Sequence, residues 1–396
     1  MMTNAETATI DGRVEPGYEG VRDAFAANFV ERGDQGAAFC LYKDGVPVVD
    51  LWGGTADRRT GLAYGPGTLQ LVFSTTKGAT AVCANLLMER GLLDPSAPVT
   101  EYWPEFGAEG KAGLPVEWLL THQAGLPAVD VTLTLPEALA WDPMVAALAA
   151  QRPLWEPGTA HGYHALTYGW LVGEVVRRVT GKSLGAFFAE EVAGPLGLEF
   201  WIGLPESEEG RVAPLNMSLD HIADMAPEEL ERMTTNFGPE GLGTRALFLG
   251  GTFGSFDDGS GPFNTRELHA AEVPAANGIT TARSLARMYA GLIGEVDGVR
   301  ILTPGTVDTM ISPRTSGLDL VLGAESIFGL GMMCDSPFSP FLGAGSFGHY
   351  GAGGSVGFAH PGSGVAFAYV MNQMRLGLAG DPRTGSLIAA VHAALS

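Results

Sequence analysis

Basic residues are scarce in this chain. Its 396 residues hold 23 Lys+Arg against 44 Asp+Glu, a net charge of -21, and only four lysines: Lys43, Lys77, Lys111 and Lys182. A surface this negative repels nucleic-acid phosphates and anionic lipid headgroups, which argues against a nucleic-acid partner and against a membrane-surface role. Charge of either sign is low at 17%, yet 46% of the residues are hydrophobic, so the low-hydropathy signature of disorder is missing. Cysteine is nearly absent. Cys40, Cys83 and Cys334 lie far apart and form no C-x-x-C pair, which excludes a disulfide framework and a cysteine zinc cage and leaves free thiols in a reducing compartment. No run of 18 apolar residues occurs, and the opening MMTNAETATIDGRVEPG has neither a basic segment nor an apolar stretch. The expectation is a soluble, cytoplasmic protein.

Glycine is abundant instead, at 56 residues, about twice the usual ~7%. The glycines follow no period and sit among apolar residues, so the chain reads as loop-rich and globular, long enough for two or three domains. Residues 37–53 (AAFCLYKDGVPVVDLWG) read as a β-hairpin about an Asp44-Gly45 turn. From Ser74, a natural N-cap, STTKGATAVCANLLMERGLL has helical spacing and stops at Gly91. Helical patterns recur at 136–150, 166–179 and 183–193, then again at 280–293 with Thr280 or Thr281 as cap. Residues 204–275 lack steady periodicity and read as a loop-heavy insertion. Two more strands flank Pro361-Gly362 within 355–372, and 385–395 reads as a closing helix. Strands at both ends with helices between imply an α+β fold. A sheet domain from 1–65 plus 280–396 would carry a mainly helical domain at 66–279.

The sharpest chemical feature is Ser74-Thr75-Thr76-Lys77. On a helix, serine at i and lysine at i+3 face the same way with Cβ atoms roughly 5–6 Å apart, which is the geometry of a serine beside a base. Eighteen serines and four lysines in 396 residues give roughly 0.2 such matches by chance, so the motif alone is not specific. Two further segments make it so. Leu119-Leu120-Thr121-His122-Gln123-Ala124-Gly125-Leu126-Pro127 is followed by Trp155-Glu156-Pro157-Gly158-Thr159 and Tyr163-His164-Ala165, and Gly348-His349-Tyr350-Gly351-Ala352-Gly353-Gly354-Ser355 precedes a strand.

In this order the segments resemble the serine β-lactamase and penicillin-binding-protein-like superfamily, and within it the class C-like esterases known as family VIII carboxylesterases. Ser-x-x-Lys is the first motif of that superfamily; the Leu119–Pro127 segment is similar to its LLTHxxGLP signature. Tyr163-His164-Ala165 stands at its Tyr-x-Asn, and His349-Tyr350-Gly351 at its Lys-Thr-Gly or His-x-Gly. The resemblance implies an antiparallel sheet flanked by helices with an inserted helical domain, and an active site between them. It implies Ser74 as nucleophile of an acyl-enzyme, Lys77 and Tyr163 sharing the proton transfers, and the backbone N–H groups of Ser74 and Ala352 as the oxyanion hole. No cofactor is implied; the partner is a small-molecule ester.

An ammonium at ~4 Å in an effective dielectric of ~20 supplies about the 4 kcal/mol that a tyrosine needs to act as a base near pH 7, so Lys77 can activate Tyr163. Which of the two takes the serine proton stays open. His349, Gly351, Trp155 and Asn277 are the candidate substrate-binding residues, although Asn277-Gly278 also reads as a turn. Ala165 replaces an asparagine that helps hold a lactam amide, and His349 replaces a lysine that meets a lactam carboxylate. Ester hydrolysis is therefore favoured over lactam hydrolysis or peptidase action, with acyl transfer to an alcohol or amine as the alternative within the fold. Two rival G-x-S-x-G serines, Ser183 and Ser355, lack the strand-turn-helix context of a nucleophile elbow. His161 and His164 have i, i+3 spacing without a third ligand, so no metal site is assigned.

Overall fold

Strands from the two ends of the chain build one antiparallel sheet. They are Ile10–Val14 (β1), Gly36–Lys43 (β2), Val46–Asp57 (β3), Thr315–Leu318 (β4), Glu325–Phe328 (β5), Met333–Cys334 (β6), Phe347–Tyr350 (β7), Val356–His360 (β8) and Val365–Met371 (β9). Their spatial order is β1-β3-β2-β9-β8-β7-β6-β5-β4, with the short strand Leu62–Ala63 added to β3. The computed structural model describes residues 8–220, 222, 227–238, 241–254 and 261–396. The first seven residues and parts of the 204–275 segment thus lie outside the described residues.

The expected hairpin is β2–β3, turned by Asp44 and Gly45 with φ of 49° and 79°, the left-handed pair that a two-residue hairpin turn requires. The ends of the chain meet at β2–β9, where Cys40 faces Ala368 and the Phe39 and Phe367 rings lie edge to face at 4.9 Å. Every residue of β9 is buried. A helix at Ala282–Ile293 lies along β2, β8 and β9, and Thr281 caps it by accepting from the Ser284 N–H at 3.1 Å. Each fully buried phenylalanine of this core contributes about 1.5–3 kcal/mol.

Labelling the long helices in chain order, α1 is Glu19–Glu31, α2 is Thr76–Glu89, α3 is Thr167–Thr180, α4 is Ala282–Ile293 and α5 is Pro382–Leu395. α1 and α5 pack on each other, with the Asn28 amide donating to the Arg383 carbonyl at 3.1 Å. α2 is buried from Thr76 to Leu87 and packs on α3. Its start differs from the sequence expectation: Phe73–Thr75 form a 3-10 turn and Thr75, not Ser74, holds the cap position. Ser74 is therefore not used as a cap.

The 136–150 helix is broken. Leu135–Leu139 and Asp142–Ala150 are separated by Trp141 at φ 69°, because Asp142-Pro143 starts a new helix rather than continuing the first. The described residues of 204–275 are more ordered than the composition implied, with helices at Pro227–Asn236, Leu242–Phe248 and Arg266–Ala270. Aromatic residues of this segment tie it to the site: the Phe253 and Phe263 rings lie 6.0 Å apart, and Phe263 lies 4.8 Å from the ring of Phe73, the residue before Ser74. Among the described residues no helix is long and apolar enough to cross a membrane.

Candidate active site

Ser74 sits on a turn whose preceding residue, Phe73, has φ 44°, a left-handed conformation that non-glycine residues seldom adopt and that marks a locally constrained backbone. The turn is held from both sides. The Thr76 hydroxyl donates to the Phe73 carbonyl at 2.5 Å and accepts from the Gly278 N–H at 2.8 Å. One helical turn on, Lys77 Nζ lies 2.9 Å from Ser74 Oγ. The same nitrogen donates to the carbonyls of Ala165 at 2.7 Å and Ala275 at 3.0 Å, and among the described residues no carboxylate pairs with it. It also lies 4.7 Å from the centre of the Tyr163 ring. The Tyr163 phenol lies near enough to Ser74 for the serine to oppose the rise in its pKa, so Lys77 and Tyr163, from two separate motifs, converge on the Ser74 hydroxyl.

Burial governs their charge. Lys77 is fully buried, and desolvation holds its amine well below the ordinary value of 10.5. Desolvation likewise pushes the Tyr163 phenol upward, a shift that nearby Ser74 opposes. The expectation from the sequence is a Lys77 ammonium about 4 Å away that draws the proton from the phenol; burial of both groups opposes that. A neutral amine has two N–H groups and one lone pair. In the neutral form, with both N–H groups on the Ala165 and Ala275 carbonyls, the lone pair would face Ser74.

The loop after β7 brings the third segment to the same place. Ser355 Oγ donates to the Val72 carbonyl at 2.9 Å and lies 3.4 Å from Thr75 Oγ1, joining this loop to the Ser74 turn. A Cβ on Gly351 would lie 2.2 Å from the Val72 carbonyl oxygen, so only glycine permits this approach. Gly351 itself donates to the Ser355 carbonyl at 2.7 Å; its N–H is committed within the loop. The N–H groups of Ser74 and Ala352 have no acceptor among the described residues. His349 is buried, donates from Nδ1 to the Tyr350 carbonyl at 2.6 Å, and has its ring 6.0 Å from that of Tyr163. Burial, and after it the neighbouring Lys77, lowers its pKa to about 3. The neutral imidazole brings no positive charge to the site.

The remaining sequence candidates fall into place differently. Trp155 is half-buried, donates from Nε1 to the Ala160 carbonyl at 3.1 Å, and packs against Gly162 next to Tyr163. Asn277 does not line the site: its amide donates to the Leu268 and Ala271 carbonyls at 2.9 and 2.6 Å, and its oxygen accepts from the Val273 N–H at 2.9 Å. These bonds close its own loop, the turn role that Asn-Gly also indicated. Ser183 caps a short helix and donates to Glu272 at 2.6 Å, while Ser355 is fully buried and, among the described residues, has no base bonded to its hydroxyl. His164 uses both ring nitrogens, one on the Gly162 carbonyl at 2.7 Å and one on the Leu126 N–H at 2.9 Å.

One residue at the site carried no sequence signal. Asp319, on the β4–β5 turn, is fully buried and accepts from the backbone N–H groups of Tyr163, Val321 and Leu322, each at 2.9 Å. It fixes the backbone of Tyr163 across 156 residues of sequence. His122, from the LLTHxxGLP segment, accepts from the His164 N–H at 3.1 Å and packs its ring 4.9 Å from that of Tyr163.

This arrangement matches known proteins along nearly the whole chain. A family model described as Beta-lactamase matches residues 22–390, and the chain belongs to the beta-lactamase family. It is 39% identical over 371 residues to the esterase/beta-lactamase LipL of Mycobacterium tuberculosis (strain ATCC 25618 / H37Rv), covering 92% of this chain and 83% of that protein. It is similar to the crystal structure of a family VIII carboxylesterase (TM-score 0.86, 37% identity, 98% of this chain and 100% of the other). A penicillin-binding protein homologue from Caulobacter crescentus is similar too (TM-score 0.84, 38% identity, 98% and 100%). The protein is an enzyme, a serine hydrolase of the β-lactamase-like fold.

Proposed function

We propose that this enzyme hydrolyses carboxylic esters of small or medium acyl groups through a covalent acyl-enzyme on Ser74. The observation that carries the reading is the desolvated Lys77 amine, 2.9 Å from Ser74 Oγ with its other two bonds on backbone carbonyls. Lys77 Nζ takes the Ser74 proton as Oγ attacks the ester carbonyl carbon. The resulting oxyanion is held by the N–H groups of Ser74 and Ala352. Collapse breaks the bond to the alkoxy oxygen, which leaves as alcohol with a proton passed from Lys77 through Tyr163. Water then attacks the acyl-enzyme, giving up a proton by the reverse route, and Ser74 regains its hydrogen as the acid departs.

Esters fit this site better than lactams. The neutral His349 offers no cation for a lactam carboxylate, and Ala165 offers no side-chain amide. Both needs are absent for a simple ester. Sequence similarity to the esterase/beta-lactamase LipL and to a family VIII carboxylesterase supports the same reading. Three free cysteines agree with a cytoplasmic location.

Turnover of short-chain p-nitrophenyl esters by the purified protein, by Ser74→Ala and by Ser355→Ala tests the proposal. Loss of turnover in Ser74→Ala with turnover remaining in Ser355→Ala is the expected result. Turnover surviving in Ser74→Ala contradicts it.

A further inference from the structure

Arg383, on the first turn of α5, is fully buried and directs all five of its N–H groups to protein acceptors. Nε and Nη2 donate to the two oxygens of Asp381 at 3.0 and 2.7 Å. Nη1 donates to Asp34 at 2.9 Å and to the Gln373 carbonyl at 2.7 Å. The fifth bond runs from Nη2 to the Gly353 carbonyl at 2.7 Å, inside the loop that presents Ala352. Asp34 is itself fixed by the Tyr369 hydroxyl of β9, so the guanidinium is anchored to the sheet before it reaches the loop.

The path from that carbonyl to the Ala352 N–H is two peptide planes long. The Gly353 carbonyl shares its peptide unit with the Gly354 N–H, which donates to the Gly351 carbonyl at 3.2 Å. The Gly351 carbonyl in turn shares its peptide unit with the Ala352 N–H. Arg383 therefore sets the tilt of one peptide plane, and that plane sets the tilt of the one bearing the oxyanion donor. The loop needs such a hold, because Gly353 and Gly354 have φ of 87° and 125° and glycine alone does not select these angles from the others open to it. Thr384 adds a second tie, its hydroxyl donating to the Gly354 carbonyl at 3.2 Å. With Asp34 and Asp381 both against it, the guanidinium adds no net positive charge to the site. Its action is geometric, with some strengthening of the donor through the polarised chain of hydrogen bonds.

We propose that Arg383 is a positioning residue for catalysis, aligning the Ala352 N–H with the developing oxyanion through the Gly353–Gly354 and Gly351–Ala352 peptides. The inference rests on the ester-hydrolysis reading of Ser74. Oxyanion alignment matters in the transition state and little in ground-state binding, so a lysine at this position should lower kcat and leave KM alone.

The test compares Arg383→Lys and Thr384→Val with the unaltered enzyme, at a temperature well below the melting point of each. It reads kcat and KM for a p-nitrophenyl ester, and the inhibition constant of a phenylboronic acid, whose tetrahedral adduct on serine imitates the transition state. Arg383→Lys is expected to lower kcat by about 10²-fold, the loss typical of one oxyanion donor, with KM within twofold and boronate affinity reduced by a similar factor. Thr384→Val, which leaves the charged cluster intact and serves if Arg383→Lys does not fold, is expected to show the same pattern at roughly 3- to 10-fold. Unchanged kcat in the folded variants, whatever their melting points, overturns the proposal. So does a fall in kcat without a matching loss of boronate affinity. Ser74→Ala is run beside them: if it retains turnover, the ester-hydrolysis reading itself fails, whereas an inactive Ser74→Ala beside a fully active Arg383→Lys removes only the role of Arg383.

Discussion

Lys77 Nζ lies 2.9 Å from Ser74 Oγ, and its two other hydrogen-bond partners are backbone carbonyls, not carboxylates. The amine is thus held where a charge is disfavoured and a lone pair is useful. Such an arrangement trades stability for function.

Lys77→Met should therefore be inactive and more stable. Because burial lowers the folded-state pKa of Lys77 below 10.5, the unfolded chain binds a proton that the folded chain does not across the interval between the two values. Stability from this group then rises with pH through that interval, and at neutral pH the lysine is a burden. The methionine variant is expected to gain roughly 0.5–2 kcal/mol at pH 7 and to lose that advantage near pH 10 and above. Urea unfolding at both pH values checks this; a variant less stable at pH 7 would count against a desolvated amine.

Tyr163→Phe keeps the ring that packs beside His122 and Phe328 and removes only the hydroxyl near Ser74. Its kcat is expected to fall by about 10²–10⁴, the usual contribution of a positioned proton-transfer group, with the melting point little changed. A fall below tenfold would mean that Lys77 and water carry the proton without it.

Asp319→Ala leaves the N–H groups of Tyr163, Val321 and Leu322 without their acceptor. At about 1–3 kcal/mol for each unmet buried donor, the loss of stability should reach roughly 3 kcal/mol or more. Asp319→Asn keeps an acceptor oxygen and should recover most of it. Equal stabilities for the two variants in denaturant unfolding would show that the bonds to Tyr163 and its neighbours are not what Asp319 supplies.

Acid stability follows from the buried imidazoles. Burial lowers His164 and His349 to about 3 from 6.5, so between these values the unfolded chain takes up protons that the folded chain refuses. The stability contributed by these two groups is full above about 6.5 and falls as the pH drops toward 3. His164→Gln, which can offer a donor to Gly162 and an acceptor to Leu126, is expected to unfold less steeply between pH 6 and pH 4 in a series of urea titrations. An unchanged slope would contradict the assignment.

What was legible in the sequence were features with local causes. The β2–β3 hairpin followed from Asp44-Gly45, the α4 start from a threonine cap, and the convergence of Ser74, Lys77 and Tyr163 from motifs whose order along the chain resembled a family. The Trp141 break, with its positive φ between two short helices, was hidden because the apolar spacing continues across it. Asp319 and Arg383 were invisible for a different reason. Each acts through backbone groups 156 and 30 residues away, and no periodicity or spacing encodes a partner that only the tertiary fold delivers. Asn277 misled because a turn-closing amide and a pocket-lining one look the same in a sequence.

The most direct measurement is the mass of the enzyme during turnover. Rapid acid quenching after mixing with a slowly released p-nitrophenyl ester, followed by intact-mass and peptide analysis, should show one acyl increment on the peptide containing Ser74 and none in Ser74→Ala. An increment on Ser355 or elsewhere, or full turnover with no increment trapped under burst conditions, would contradict a Ser74 acyl-enzyme.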